Sequence, residues 1–233
     1  MKKIDDFVFK LMQMHARLIT EKDFDLQYKL KIQATEESSQ FVKENMKNVM
    51  IFDWSNEPIL KYAVNCVKTN GLFLEFGVYE GTSINFIANK ISQTIHGFDS
   101  FYGLPKDWYG TSMDKDYFNL HGKMPNVRKN VKLHKGQFKD TIPKFKKDTN
   151  ENIAFMNIDC DIYESTKEIF DLIGDRIQKG TIIYFDEYLN HIYWQEHEYK
   201  AFMEFVKKNN VEFDYLAIDG KGHAIVKINS INA

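Results

Sequence analysis

The stretch MNIDCDIYES, residues 156–165, sets Asp159, Asp161 and Glu164 directly after the apolar run IAFMNI (153–158). A carboxylate at the end of a buried strand costs several kcal/mol unless a counter-charge, a helix terminus or water meets it. A second acidic pair, Asp186-Glu187, closes a second apolar run, TIIYFD (181–186). If both runs are parallel strands of one open sheet, Asp159, Asp186 and Glu187 stand at the same edge, at the mouth of one crevice. Carboxylates converging there repel unless a cation sits among them. Hard oxygen donors without cysteine suit Mg²⁺, with Mn²⁺ or Fe²⁺ as substitutes. Asp161 and Glu164 also fit a capping box, Asp161 capping the helix of DIYESTKEIFDLI and Glu164 returning to the cap backbone. A role for Asp161 in orienting Asp159 or the substrate is the competing reading.

A third group lies in LEFGVYEGTS, residues 74–83, where Gly77 and Gly81 let backbone approach a ligand between a strand and a helix. Asp99 ends the next strand, roughly 20 residues on, where an acid hydrogen-bonds a ribose diol in nucleotide-binding units. Glu75 stands where a dinucleotide would place its pyrophosphate, so a carboxylate there disfavours NAD. It suits an ammonium and a sulfonium, which are the charges of S-adenosylmethionine. An NAD-dependent oxidoreductase is therefore the weaker alternative, and Gly-x-x-x-Gly also lacks its third glycine. His191, His197 and His223 are weaker candidates for a base. His191 leads them because DEYLNHIYW carries it just past the acidic pair; Asp159 is the stronger one.

These residues need a scaffold. Strands are expected at 72–77, 94–99, 131–136, 153–158 and 181–186, with helices at 81–92, 138–146, 164–178 and 195–209. Such alternation implies right-handed crossovers and a parallel, Rossmann-like α/β sheet covered on both faces. VEFDYLAI and HAIVKI, joined through the Asp-Gly of DGKG, close it as an antiparallel hairpin, giving seven strands. Residues 1–68 read as a helical accessory region, with Phe7, Leu11, Met14 and Leu18 on one face and Ser55 starting the helix that leads into the first strand. Residues 69–233 form the main domain. Charge is nearly balanced, 31 Lys plus Arg against 33 Asp plus Glu, which provides no broad cationic field for nucleic acid or an anionic membrane. No apolar run approaches a membrane span or a signal peptide. Two distant cysteines, Cys66 and Cys160, read as reduced thiols of a cytoplasmic protein.

LEFGVYEGTS, GFDSFYGLP, KGQFKDTIP, NIDCDIYEST and GTIIYFDEY, in that order, resemble the macrocin O-methyltransferase family of class I, metal-dependent S-adenosylmethionine methyltransferases. The resemblance covers roughly residues 70–228. It implies a cofactor site of Glu75, Phe76, Gly77, Gly81 and Ser83 around the methionine end. Asp99, Ser100 and Phe101 would lie at the ribose, Gly136, Gln137 and Phe138 beside the adenine, and Asp159 nearby. It implies the same metal trio, Asp159, Asp186 and Glu187, with one departure: a pair of aspartates is usual where this chain has Asp186-Glu187.

The long irregular segment FYGLPKDWYGTSMDKDYFNLHGKMPNVRK (101–129) mixes rings with Lys106, Lys115, Lys123, Arg128 and Lys129. It is expected to fold over the crevice as a lid. Rings suit sugar or nucleobase faces, and cations suit phosphate. Tyr102, Trp108, Asp161, Tyr163 and Tyr188 are the candidate acceptor contacts. The expected acceptor is a sugar, nucleotide-linked or phosphorylated, of the kind used for bacterial surface polysaccharide. A glycosylated natural product of macrolide type and a catechol-like molecule are the alternatives. The partner is a small molecule, and a homo-oligomer is compatible with the sequence.

Overall fold

A computed structural model describes residues 7–14, 24–53 and 56–231. Leu18 and Ser55 lie outside them. Eight strands form one sheet in the order β1-β7-β8-β6-β5-β2-β3-β4. They are β1 (Met50–Phe52), β2 (Leu72–Phe76), β3 (Ile95–Asp99), β4 (Val131–Lys135), β5 (Ile153–Ile158), β6 (Ile177–Phe185), β7 (Glu212–Asp219) and β8 (Ala224–Ser230). The helices are α1 (7–14), α2 (Leu26–Asn45), α3 (Asn56–Cys66), α4 (Thr82–Ala88), α5 (Phe138–Asp148), α6 (Tyr163–Ile173) and α7 (Glu198–Lys208). β2 to β6 run parallel, and β8 pairs antiparallel with both β6 and β7.

The central strands β2 and β5 are buried at every residue, the pattern of strands covered on both faces. Leu74, Phe76, Ile158 and Phe185 pack on one side, toward α5, α6 and α7; Phe73, Phe155 and Ile182 pack on the other, with Ile59 of α3 and Ile84 of α4.

Two differences from the sequence reading have local causes. An eighth strand, β1, extends the sheet by pairing parallel with β7, and its three residues are too few to show alternation. β6 begins at Ile177 instead of 181 because a register shift absorbs Gln178, Lys179 and Gly180, and Gly180 takes φ +90°. Helix α6 accordingly stops at Ile173, followed by a short 3-10 turn.

Parallel strands deliver their C-terminal ends to one edge, and backbone bonds latch them there. The Gly77 amide donates to the Phe98 carbonyl at 3.0 Å, Asp159 to Phe76 at 2.9 Å, Asp186 to Ile158 at 3.0 Å and Gly136 to Asp99 at 2.9 Å. Gly77 is the tightest of these positions: its φ is +87°, and a Cβ there would land on the Asp159 carbonyl. Gly77→Ala should therefore cost about 2–4 kcal/mol, a steric clash added to a strained left-handed residue. Thermal unfolding should show Tm lower by roughly 5–10 °C; an unchanged Tm would mean the loop is not held this closely.

Candidate active site

A cleft of about 1000 Å³ opens along that edge. Beneath its floor lies Glu75, which the sheet register sets opposite Gly97 on one side and Asn157 on the other. Glu75 is fully buried and accepts from Ser83 Oγ and Asn157 Nδ2, both at 2.9 Å. Burial, which two hydrogen bonds only partly offset, pushes its carboxyl up to about 8. Above it, Asn157 lines the cleft with a buried Oδ1 that has no partner. A fully buried acid beside an orphaned acceptor fits a cationic ligand group, as the ammonium of S-adenosylmethionine would supply. Gly81, at φ +83°, starts α4 and brings Ser83 over Glu75.

Asp99 also lines the cleft, and its carboxylate is already organised. Oδ2 accepts the Val78 and Tyr79 amides at 2.8 Å, and Oδ1 accepts the Phe101 amide at 2.6 Å. It fixes the glycine loop, with lone pairs left for a diol. Ser100 lines the cleft beside it, while Phe76 and Phe101 are buried beneath. Gly136, Gln137 and Phe138 form the far wall at the start of α5, and the Phe138 ring stands edge-on to Phe76 at 5.7 Å.

At the other end, carboxylate oxygens of Asp159, Asp161 and Glu187 lie within 4.8 Å of one another. Asp186, expected in this trio, is instead tied to Tyr184 Oη at 3.3 Å and to His223 Nε2 at 3.2 Å, though it lines the same cleft. Asp161 takes its place. The capping-box reading fails, because α6 is preceded by Ile162 with no side-chain cap and Glu164 pairs with Lys106 at 2.5 Å. Asp161 turns into the cluster through a left-handed backbone, φ +65°, which a short polar residue tolerates. Burial first, and Asp186 second, push Asp159 well up and Asp161 to about 7; the same two causes raise Glu187.

Behind the trio stands Glu198, fully buried at the start of α7, whose Oε2 accepts the Glu187 amide at 3.1 Å. Glu198 Oε1 and Glu187 Oε2 are buried without partners. Orphaned carboxylate oxygens in a cluster of like charge fit a divalent cation, with Asp159, Asp161 and Glu187 as the residues to hold it.

Other expected contacts lie elsewhere. His191 is held with both ring nitrogens against backbone carbonyls, Glu187 at 3.1 Å and Ile192 at 3.2 Å, and burial pushes it down to about 4. It is not among the residues lining the cleft. Trp108 is buried edge-on to His191 and His197, so it anchors segment 101–129 instead of covering the cleft. Tyr188 is fully buried, hydrogen-bonded to Tyr215 at 2.8 Å. Tyr163 faces Glu204 at 2.8 Å, and the exposed Tyr102 ring lies under Lys135. The residues that reach the cleft from segment 101–129 include Phe118 and Arg128, with Tyr79 packed edge-on to Phe118 at 5.3 Å.

Sequence reasoning missed Asn157, Tyr184 and Glu198, and read His223 only as a weaker candidate for a base. Asn157 was open to notice, as an amide inside the otherwise apolar IAFMNI; the other three come from residues whose neighbours only the tertiary fold supplies.

Glu75 makes stability depend on pH. Its carboxyl is raised from 4.5 to about 8 in the fold. The stability it contributes is therefore fully present below its unfolded value and lost as pH rises through about 8. At ~1.4 kcal/mol per pH unit this is on the order of a few kcal/mol. The raised carboxyls of Asp159, Asp161, Glu187 and Glu198 act in the same direction. Thermal melts in chelator should show Tm falling from pH 5 to pH 8. The fall should be shallower in Glu75→Gln, where a flipped Asn157 amide can accept from the new side chain. Equal slopes in both proteins would refute the assignment.

No curated protein gave a match. Among solved structures, the calicheamicin methyltransferase CalS11 is similar with a TM-score of 0.59 and 18% identity, over 87% of this chain and 93% of that one. A second CalS11 structure, described as an apo TDP-rhamnose 3'-O-methyltransferase, has a TM-score of 0.53 at 22% identity, covering 73% and 78%. The O-methyltransferase NovP has a TM-score of 0.53 at 20% identity, covering 73% and 79%. These likenesses establish the fold. The family model of macrocin-O-methyltransferase (TylF) matches residues 59–227, which is most of the chain and contains the whole cleft. The chain belongs to the macrocin-O-methyltransferase family of S-adenosylmethionine-dependent O-methyltransferases.

Proposed function

We propose that this enzyme methylates a hydroxyl of a nucleotide-linked or phosphorylated sugar with the help of a divalent cation, in the synthesis of a bacterial surface polysaccharide. The observation that carries the reading is that one continuous cleft is lined by Asp99 and Asn157, by Asp159 and Asp161 of the carboxylate trio, and by a rim of Tyr79, Phe118 and Arg128, with Glu75 buried against Asn157. Its volume, about 1000 Å³, is at the upper end for a single ligand and leaves room for cofactor and acceptor together. One structural relative is described as acting on TDP-rhamnose, a nucleotide-linked sugar, which favours this class over the glycosides of natural products and over catechols. Both cysteines are unpaired, which supports a cytoplasmic setting. No helix among the described residues is long and apolar enough to cross a membrane.

Methyl transfer is an in-line displacement at the sulfonium methyl, so the protein must align two reactants and exclude water. Glu75 and Asn157 receive the ammonium, Asp99 the ribose hydroxyls, and Phe138 the adenine face. Asp159, the trio residue that directly follows β5, takes the proton of the acceptor hydroxyl as the methyl passes to its oxygen. A divalent ion held by Asp159, Asp161 and Glu187 would supply Lewis acidity and chelate neighbouring hydroxyls. Tyr79 and Phe118 stack on the sugar or base, and Arg128 meets phosphate.

Chelator should abolish turnover and Mg²⁺ or Mn²⁺ should restore it; full activity in chelator would remove the cation from the reading. Asp161→Asn should lower cation affinity about 10-fold or more, the range for disturbing a metal site, and an unaffected variant would exclude Asp161 from the trio. In an acceptor screen, nucleotide-sugars should outperform free sugars, catechols and glycosylated natural products. Arg128→Ala should then raise the acceptor KM about 10-fold for the loss of a charge-assisted contact, without weakening cofactor binding. Activity on catechols alone would overturn the acceptor class.

A further inference from the structure

The turn between β7 and β8 reaches the cleft through a buried polar chain. Asp219 Oδ1 accepts the amides of Lys221 at 3.0 Å and of Gly222 and His223 at 3.1 Å, which closes the turn around its carboxylate. Asp219 Oδ2 lies 2.6 Å from His223 Nδ1, with the Asp219 side chain fully buried and that of His223 only 4% exposed. The other face of the imidazole, Nε2, lies 3.2 Å from Asp186 Oδ1. Tyr184 Oη meets the same oxygen at 3.3 Å, and the Tyr184 and His223 rings lie 5.6 Å apart. Two partners thus converge on one oxygen of Asp186. Among the described residues Oδ2 has none, and Asp186 lines the cleft beside the trio.

A hydrogen bond on one oxygen fixes the rotation of a carboxylate and decides which oxygen a ligand meets; outer partners of this kind tune metal sites. We propose that His223, braced by Asp219, is a positioning residue that fixes the rotation of Asp186 beside the carboxylate trio and so tunes how tightly the trio holds its cation. The hairpin turn thereby becomes part of the active site, and Tyr184 is its second clamp. The inference rests on the cation reading above.

Two substitutions of His223 separate its ends. Asn is too short to reach Asp186 but retains a polar group toward Asp219, whereas Gln places an amide near the Nε2 position. Calorimetric titration of the full chain with Mn²⁺ alone should show affinity about 10-fold weaker in His223→Asn and largely restored in His223→Gln. Tyr184→Phe, which removes only the second clamp, should show a smaller loss, about 3-fold or less. In Asp186→Asn, adding His223→Asn should change nothing further, because the coupled carboxylate is gone. Thermal melts accompany each titration. If the wild type binds Mn²⁺ and His223→Asn, folded with normal Tm, binds it equally well, the positioning role is wrong and the cation reading stands. If His223→Asn does not fold, an additive loss from Tyr184→Phe and Asp186→Asn is the result that overturns the proposal. If the wild type binds no Mn²⁺, both readings fall together.

Discussion

Six carboxylates, those of Glu75, Asp159, Asp161, Asp186, Glu187 and Glu198, act on one another around a single sheet edge. Two unit charges 4 Å apart repel by about 4 kcal/mol at an effective dielectric near 20, and a whole domain is stable by only about 5–15 kcal/mol. The cluster cannot be fully ionised without a counter-charge. Protonation relieves it at low pH, and a bound cation would relieve it at higher pH. A ligand that removes this repulsion binds the folded state alone and so stabilises it. The same electrostatics that weaken the empty fold favour any cationic ligand, the sulfonium cofactor included.

The sheet makes such a site possible by separating what bears charge from what bears load. Beneath the edge, the two faces of β2 and β5 are filled with Phe, Ile and Leu, and the strands are latched by backbone bonds whose donors include Gly77, Asp159 and Asp186 themselves. The residues that carry the chemistry are thus the first past the last strand pair, held by the main chain with their side chains left for ligands. Within the sheet one polar row interrupts the apolar face: Glu75, Asn157 and Tyr184 stand opposite one another on three neighbouring strands. Hydrogen bonds join the first two, and Tyr184 continues the row to Asp186. Cofactor floor and carboxylate end are therefore mechanically one unit.

Much of this was legible in the sequence, for reasons that mark the boundary of such reading. Strands β2 and β5 announce themselves because a buried parallel strand must be apolar almost throughout, and Gly77 because the close approach of the Asp159 carbonyl leaves no room for a Cβ. The N-terminal boundary of β6 was hidden by Gln178-Lys179-Gly180, which reads as a turn and is a bulge inside the strand. The exchange of Asp161 for Asp186 was hidden too. Both are acids beside a strand end, and only the left-handed turn at Asp161 and the distant hairpin at His223 set them apart. Tyr188 and Trp108 were over-read because aromatic residues near a site are as useful for packing as for stacking, and composition does not distinguish these uses.

Trp108 changes the meaning of segment 101–129. The segment is internally bonded, Leu104 to Lys115 at 2.8 Å, Trp108 to Met113 at 3.1 Å and Gly122 to Phe101 at 2.8 Å, and Tyr102 bridges to Asn119. With Trp108 buried against His191 and His197, the segment is pinned to the chain that follows the Asp186-Glu187 pair. A segment tied at such a point does not swing as a free lid. His191, which looked like a base, holds this anchor together through the Glu187 carbonyl, and so links the position of a trio residue to the wall of the cleft. The part of the segment that reaches the opening includes Phe118, packed edge-on against Tyr79, and Arg128. Among the described residues neither side chain is hydrogen-bonded to the carboxylates, so the rim can change while the carboxylate cluster stays in place.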